Sequence, residues 1–97
     1  MLDFSTRKQK IMDLKLKDGT LLQLIVPRAK AYDEIIDLKN TGRHVQIIPN
    51  TTRILNQNAQ GMQFTEEQVE TMFNVAELSM ICTEYIEFVT EAINDPN

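Results

Sequence analysis

The chain has 97 residues, 42% of them hydrophobic and 25% charged, which suits one small domain with a single core. Its one cysteine cannot form an internal disulfide, no apolar stretch reaches membrane-spanning length, and no apolar signal core follows Met1, so we expect a cytoplasmic protein. The net charge of −4 is divided, because residues 1–53 hold all ten bases and six acids while residues 54–97 hold the other eight acids; this balance argues against general nucleic-acid binding.

Residues 10–26 are predicted to form a β-hairpin, after a leader of residues 1–9 whose degree of order the pattern leaves open. Asp18-Gly19 is a strong turn signal between two apolar runs. A two-residue loop would pair Leu16 with Leu21, whereas a three-residue loop pairs Leu16 with Thr20. We prefer the three-residue loop, with Gly19 in a left-handed conformation, because it gathers one apolar face: Met12, Leu14, Leu16, Leu22, Leu24 and Val26. The other face is mixed and is expected to be half covered.

A helical region is predicted over residues 29–60. Pro27 ends the second strand, and apolar spacing predicts a first helix from about residue 29 to residue 39, with Gly42 as its stop signal. The buried side of this helix is expected to hold Tyr32, Ile35, Ile36 and Leu38.

The second half of the helical region is less uniform. Residues 43–50 are ambiguous, because their β-branched run is typical of a strand whereas Pro49 can open a helix. A short helix is then predicted over residues 50–60, with Gly61 as its cap. Its buried residues are expected to be Ile54 and Leu55.

The last element is predicted to be one long helix over residues 65–94. Thr65 and Gln68 form a capping-box pattern, and Phe64 with Val69 is typical of a hydrophobic staple. No proline or glycine interrupts the segment. The fold class is therefore α+β and mostly helical, with an N-terminal hairpin followed by three helices, the last of them long.

This long helix is predicted to have two apolar faces. At helical spacing, the core face should hold Met72, Val75, Leu78, Cys82, Ile86, Val89 and Ile93. An acidic stripe recurs every seven residues on the opposite side: Glu70, Glu77, Glu84 and Glu91. Beside that stripe lies a second apolar set, made of Phe73, Met80, Ile81 and Phe88.

Two interpretations of the second apolar set are open. Residues 43–61 could cover it within the chain, or it could be a contact site for another chain, since apolar patches bordered by charge are typical of interfaces. We favour a partner-binding site formed by Phe73, Met80, Ile81, Phe88, Glu70, Glu77 and Glu84. The basic hairpin, with Lys15 and Lys17, would be the complementary surface, either for the chain's own acidic half or for another copy.

No pattern of catalytic or metal-binding residues stands out. His44 is the only histidine and is expected in a surface or loop position, and Cys82 is expected to be a small buried residue on the core face. Glycine-rich phosphate loops and nucleophilic serine motifs are lacking. We therefore expect a protein that is not an enzyme, with no catalytic residue, metal or cofactor.

Several strings of this sequence, taken in order, are similar to one family. They are the hairpin of residues 11–26, the Val26-Pro27-Arg28 helix entry, Ile54-Leu55-Asn56-Gln57-Asn58 followed by a glycine, the Phe64–Val69 helix start, and Glu84-Tyr85-Ile86-Glu87-Phe88-Val89. Together they resemble the tail assembly chaperones encoded among the tail genes of long-tailed bacteriophages and prophages. The stretch 42–52 departs from that pattern, because Pro49 interrupts what is usually a helix.

The resemblance implies a non-enzymatic role in virion morphogenesis in the bacterial host cytoplasm. Such chaperones bind the long apolar tape-measure protein, keep it soluble until tail-tube protein assembles around it, and self-associate as oligomers. Many have a second form extended by a translational frameshift. Two alternatives stay open: a minor structural tail or connector component of the virion, and a small regulatory protein that binds a partner. No contact with nucleic acid or membrane is expected.

Overall fold

A two-stranded hairpin precedes four helices in the part of the chain that this structure, a computed structural model, describes, namely residues 10–40 and 47–94. The elements are β1 (Ile11–Lys15), β2 (Leu21–Ile25), α1 (Ala29–Asn40), α2 (Ile47–Leu55), α3 (Glu66–Met72) and α4 (Val75–Asn94). The α+β, mostly helical class with an N-terminal hairpin and a long last helix is confirmed. The expectations for residues 1–9, Gly42 and His44 lie outside the described residues.

The hairpin has the predicted register. Leu14 lies opposite Leu22, and the Leu16 amide donates to the Thr20 carbonyl oxygen at 2.8 Å. Gly19 has a φ of 94°, the left-handed region that glycine enters without steric cost. The Asp18 carboxylate accepts from the Thr20 amide at 2.9 Å and closes the turn. One face is therefore apolar, and its best-buried members are Leu16, Leu22 and Leu24.

The far edge of β2 is covered by the loop after α2. The Ile25 amide donates to the Gln57 carbonyl oxygen, and the Ala59 amide donates to the Gln23 carbonyl oxygen, both at 2.9 Å. The Gln60 side chain also accepts from the Gln23 amide at 3.1 Å. These bonds satisfy the outward N–H and C=O groups of Gln23 and the outward N–H group of Ile25.

The second helix begins earlier than predicted. It runs over Ile47–Leu55, so that Pro49 lies in its first turn, where no backbone N–H is needed for the helix. The predicted span of 50–60 with Gly61 as its cap is wrong. The helix ends at Leu55 because the Asn58 side chain donates to the Leu55 carbonyl oxygen at 2.7 Å. Gly61, with a φ of 72°, belongs to the following loop.

The predicted continuous helix over residues 65–94 is wrong. Phe73 is extended, with φ −135° and ψ 148°, and separates α3 from α4. Asn74 then begins α4 through a capping box, because its side chain accepts from the Glu77 amide at 2.9 Å while Glu77 accepts from the Asn74 amide at 2.8 Å. The capping box predicted at Thr65 and Gln68 is confirmed.

The buried face of α4 is rotated from the predicted one. Leu78 and Val89 are buried as expected, but the other buried positions are Ile81 and Tyr85. The prediction that Val75 and Ile93 lie on the core face is wrong, since both are exposed. Tyr85 replaces them because its ring packs in the core while its hydroxyl group finds a backbone acceptor on β2. Met72, Cys82 and Ile86 pack at the core margin.

The core lies between the apolar face of the hairpin and the helices. Helix α2 is central, since it packs against α1, α3 and α4. Both of its predicted buried residues, Ile54 and Leu55, are fully enclosed, as are Val69 of α3 and Tyr85 of α4. None of the described helices is both long and apolar enough to cross a membrane.

Candidate partner-binding groove

A groove of about 370 Å³ separates β1 from the junction of α3 and α4. Its apolar lining comes from both sides: Met12 and Leu14 from the hairpin, and Phe73, Met80 and Ile81 from the helices. Its charged lining residues are Asp13, Lys15 and Lys17 on the hairpin side and Glu77 and Glu84 on α4. The groove therefore combines an apolar floor with a mainly basic border and an acidic border.

The apolar lining residues differ in how far they reach into solvent. Met80 is 65% exposed, so most of its side chain is open to contact. Phe73 is half-buried because its extended backbone turns it onto the edge of the core. The expectation that Ile81 projects outward is wrong, since it is only 7% exposed and belongs to the core. Its part in the groove is that of a rigid floor.

One end of the groove is crossed by an ion pair within the chain. The Lys17 ammonium nitrogen lies 2.8 Å from a carboxylate oxygen of Glu77. The hydrogen bond from Lys17, together with that from the Asn74 amide, lowers the pKa of the Glu77 carboxyl. Part of the attraction between the basic hairpin and the acidic helix is thus satisfied within one chain, by the pair Lys17–Glu77. Lys15 and Glu84, farther along the two borders, form no ion pair with any described residue.

Seven of the nine residues predicted as a partner surface line this one groove, and two do not. Phe88 packs its ring against Tyr85, with centroids 5.9 Å apart, and borders a separate depression near the end of α4. Glu70 lies on α3, before the break at Phe73, so the acidic stripe is not continuous. Met12 and Leu14 were absent from the predicted site, although the hairpin alternation had placed them on its apolar face.

The remaining reactive side chains of the described residues do not converge on a site. Among residues 10–40 and 47–94, no group of three or more His, Cys, Asp or Glu side chains is placed to share a metal ion. Cys82 is half-buried beside α2, with its sulfur 3.2 Å from the Thr51 hydroxyl oxygen and 3.5 Å from the Asn50 amide nitrogen. Cys82 was expected to be a small buried residue on the core face, and the structure places it half-buried with polar neighbours.

Comparison with known proteins adds no relative to this picture. No protein-family model, curated protein or solved structure matches the chain.

Proposed function

We propose that this chain is a non-enzymatic assembly chaperone that holds an apolar segment of a partner protein against the groove between β1 and α4. The observation that supports this proposal is the convergence of an exposed methionine, a half-buried phenylalanine and two oppositely charged borders on one groove. Methionine suits such a role because its unbranched side chain adapts to different apolar surfaces.

The groove is suited to side chains rather than to a whole helix. An α-helix is about 10–12 Å wide with its side chains, so its backbone would stay outside while one apolar stripe enters. Met80, Phe73 and Ile81 would supply most of the affinity through apolar burial. Lys15 and Glu84 on the two borders would set the orientation of the bound segment through its own charges.

The resemblance to tail assembly chaperones suggests which partner this is. A tape-measure protein offers long apolar helical stretches that need cover before tail-tube protein surrounds them. Binding by a small chain in the cytoplasm of the bacterial host would supply that cover. The proposal is therefore a tail assembly chaperone whose groove binds tape-measure segments during virion morphogenesis.

Co-expression with the tape-measure protein tests this proposal. Met80→Asp should reduce the co-purified tape-measure protein by roughly tenfold, because it places a charge at the open end of an apolar contact. Met62→Asp is the matched control, since Met62 is also exposed but does not line the groove. Circular dichroism must show that both variants remain folded.

Two results would contradict the proposal. Equal loss or equal retention of the partner in the two variants would remove the groove from the binding site. Finding the chain at stoichiometric amounts in finished particles would instead favour a structural tail component.

A further inference from the structure

The outer edge of β1 carries backbone groups that no described residue binds. Along a strand, the backbone N–H and C=O groups of successive residues point alternately to the two sides. The Leu16 amide bonds to Thr20 across the hairpin, so the backbone groups of Leu14 and Met12 also point toward β2. The N–H and C=O groups of Ile11, Asp13 and Lys15 must therefore point away from it. No hydrogen bond joins these groups to residues 10–40 or 47–94.

The same alternation on β2 shows that this assignment is correct. Gln23 and Ile25 are the partners of Asp13 and Ile11, and their outward backbone groups do bond to the loop that covers β2. Among the described residues, one edge of the sheet is thus paired and the other is open. An open edge of five residues without proline is a template for another strand.

The sequence of β1 is complementary to itself in one antiparallel register. With Leu14 opposite Leu14 of a second copy, Asp13 lies opposite Lys15 of that copy, and Lys15 lies opposite its Asp13. Directly opposed residues share a face of the sheet, so both charge pairs form on the exposed face. On the apolar face, Leu14 meets Leu14 and Met12 meets Leu16.

The neighbouring registers lack this complementarity. Pairing centred on Asp13 places Asp13 against Asp13, and pairing centred on Lys15 places Lys15 against Lys15. A parallel arrangement in register also brings like charges together. If the centre of the pairing lay between two residues, the apolar face of one copy would lie on the same side of the sheet as the exposed face of the other. Of these registers, only the one centred on Leu14 forms the backbone hydrogen bonds, places opposite charges against each other and aligns the two apolar faces.

We propose that β1 pairs with β1 of a second copy in the antiparallel register centred on Leu14, joining two hairpins into one four-stranded sheet. Asp13 and Lys15 are exposed in the single chain, so their substitution leaves the core intact. The dimer would place two partner grooves next to each other, because Leu14 lines the groove in each copy. Because Asp13, Leu14 and Lys15 also line the groove, the second copy would cover its β1 border, so strand pairing and partner binding contact some of the same residues.

Charge exchange tests the register with the whole chain. Analytical ultracentrifugation over a concentration series should show a dimer for the unchanged protein. Asp13→Lys and Lys15→Asp should each weaken it by about tenfold or more, since each turns two attractive pairs into two repulsive ones. Mixing the two variants should restore a heterodimer, and the double variant Asp13→Lys/Lys15→Asp should restore a homodimer.

Three results would overturn the proposal. A monomer at all concentrations would do so, and so would a dimer that both single variants leave unchanged. The third is slow amide hydrogen exchange at Asp13 and Lys15 in a monomer, because it would assign the edge to a segment of the same chain. Thermal unfolding of both single variants must match that of the unchanged protein, and the Met80→Asp variant should still dimerise even if it no longer binds a partner.

Discussion

Tyr85 donates the hydrogen of its hydroxyl group to the main-chain carbonyl oxygen of Ile25, 2.7 Å away. The bond joins the middle of α4 to the last residue of β2 across 60 positions of sequence. Burial of the side chain raises the pKa of Tyr85 well above its ordinary value of 10.0, so the hydroxyl stays a donor at any physiological pH. The carbonyl that it reaches lies on the side of β2 that faces away from β1.

Replacing this hydroxyl group tests how much the bond contributes. Tyr85→Phe should lower the free energy of unfolding by about 1 kcal/mol, because the ring still packs while the Ile25 carbonyl loses its partner. Urea denaturation measures the difference. Tyr32→Phe, at the core margin in α1, is the matched control and should change it by less than about 0.5 kcal/mol. Equal effects would show that the hydroxyl of Tyr85 is not special.

The hairpin register predicts opposite outcomes for two adjacent leucines. Leu22 is fully buried, whereas Leu21 on the other face is 51% exposed. Leu22→Ala should cost about 2–5 kcal/mol of unfolding free energy through lost burial and a cavity, and Leu21→Ala about 0.5 kcal/mol or less. Chemical denaturation of both variants decides the register, and a larger loss at Leu21 would reverse it.

The loop after α2 is predicted to depend on one asparagine. The Asn58 side chain donates to the carbonyl oxygens of Leu55 at 2.7 Å and Met62 at 2.9 Å, and accepts from the Met62 amide at 2.9 Å. Asn58→Ala should lower the unfolding free energy by about 2–3 kcal/mol, because these backbone groups lose their partner near the core. Asn94→Ala, at an exposed helix end, is the control for the same substitution and should be nearly neutral. Thermal and urea unfolding measure both.

The start of α4 is predicted to depend on Asn74. Asn74→Ala removes the side-chain oxygen that accepts from the Glu77 amide and should cost about 1 kcal/mol. Asn74→Ser keeps a capping oxygen and should recover most of that loss. Helix content at elevated temperature, followed by circular dichroism, distinguishes the two. Identical unfolding curves for Asn74→Ala and Asn74→Ser would show that the capping oxygen does not stabilise the start of α4.

Acid should weaken the protein partly through Glu77. Its pKa is lowered in the folded chain, first by the hydrogen bond from Lys17 and then by that from the Asn74 amide. The stabilisation is therefore fully present above the ordinary carboxyl value of 4.5 and is lost as the pH falls through the lowered folded value. Melting temperatures between pH 3 and pH 7, roughly the range in which carboxyl groups titrate, should fall less steeply in Glu77→Gln.

The control for this pH experiment is Glu84→Gln, which removes the same charge from the same helix at a position that forms no ion pair with any described residue. It therefore separates the loss of the Lys17 ion pair from the loss of one negative charge on α4. Some slope remains in Glu77→Gln because the pKa of Asp18 is also lowered, chiefly by its hydrogen bond with the Thr20 amide. Equal slopes in Glu77→Gln and Glu84→Gln would contradict the assignment.

Local signals in the sequence predicted the parts of the fold that local chemistry decides. The Asp18-Gly19 turn and the alternation around it gave the correct register, and Thr65 with Gln68 gave the correct start of α3. The break at Phe73 had a signal of the same kind, since Asn74 and Glu77 are spaced as a capping box. The lack of proline and glycine in the surrounding segment nevertheless favours one continuous helix.

The candidate site was only partly predictable, because tertiary contacts decide which residues meet. The sequence alone does not place Tyr85 on the core face, because a buried hydroxyl group needs a hydrogen-bond acceptor. That acceptor is the Ile25 carbonyl oxygen, which only the tertiary structure brings close. The burial of Tyr85 fixes the rotation of α4, and with it the burial of Ile81. The Lys17–Glu77 ion pair likewise depends on the position of the hairpin turn beside α4. The uneven distribution of charge in the sequence predicted that the basic and acidic halves attract each other, but not which two side chains form an ion pair.

The loop laid along β2 limits how this protein can aggregate. Gln57 and Ala59 occupy the outward backbone groups of Ile25 and Gln23, so the described sheet offers a hydrogen-bonding template on one side only. A fibre made by edge-to-edge stacking needs two free sides in every unit. Strand addition to this sheet therefore stops after a single step, and the exposed strand directs a finite contact without seeding a filament.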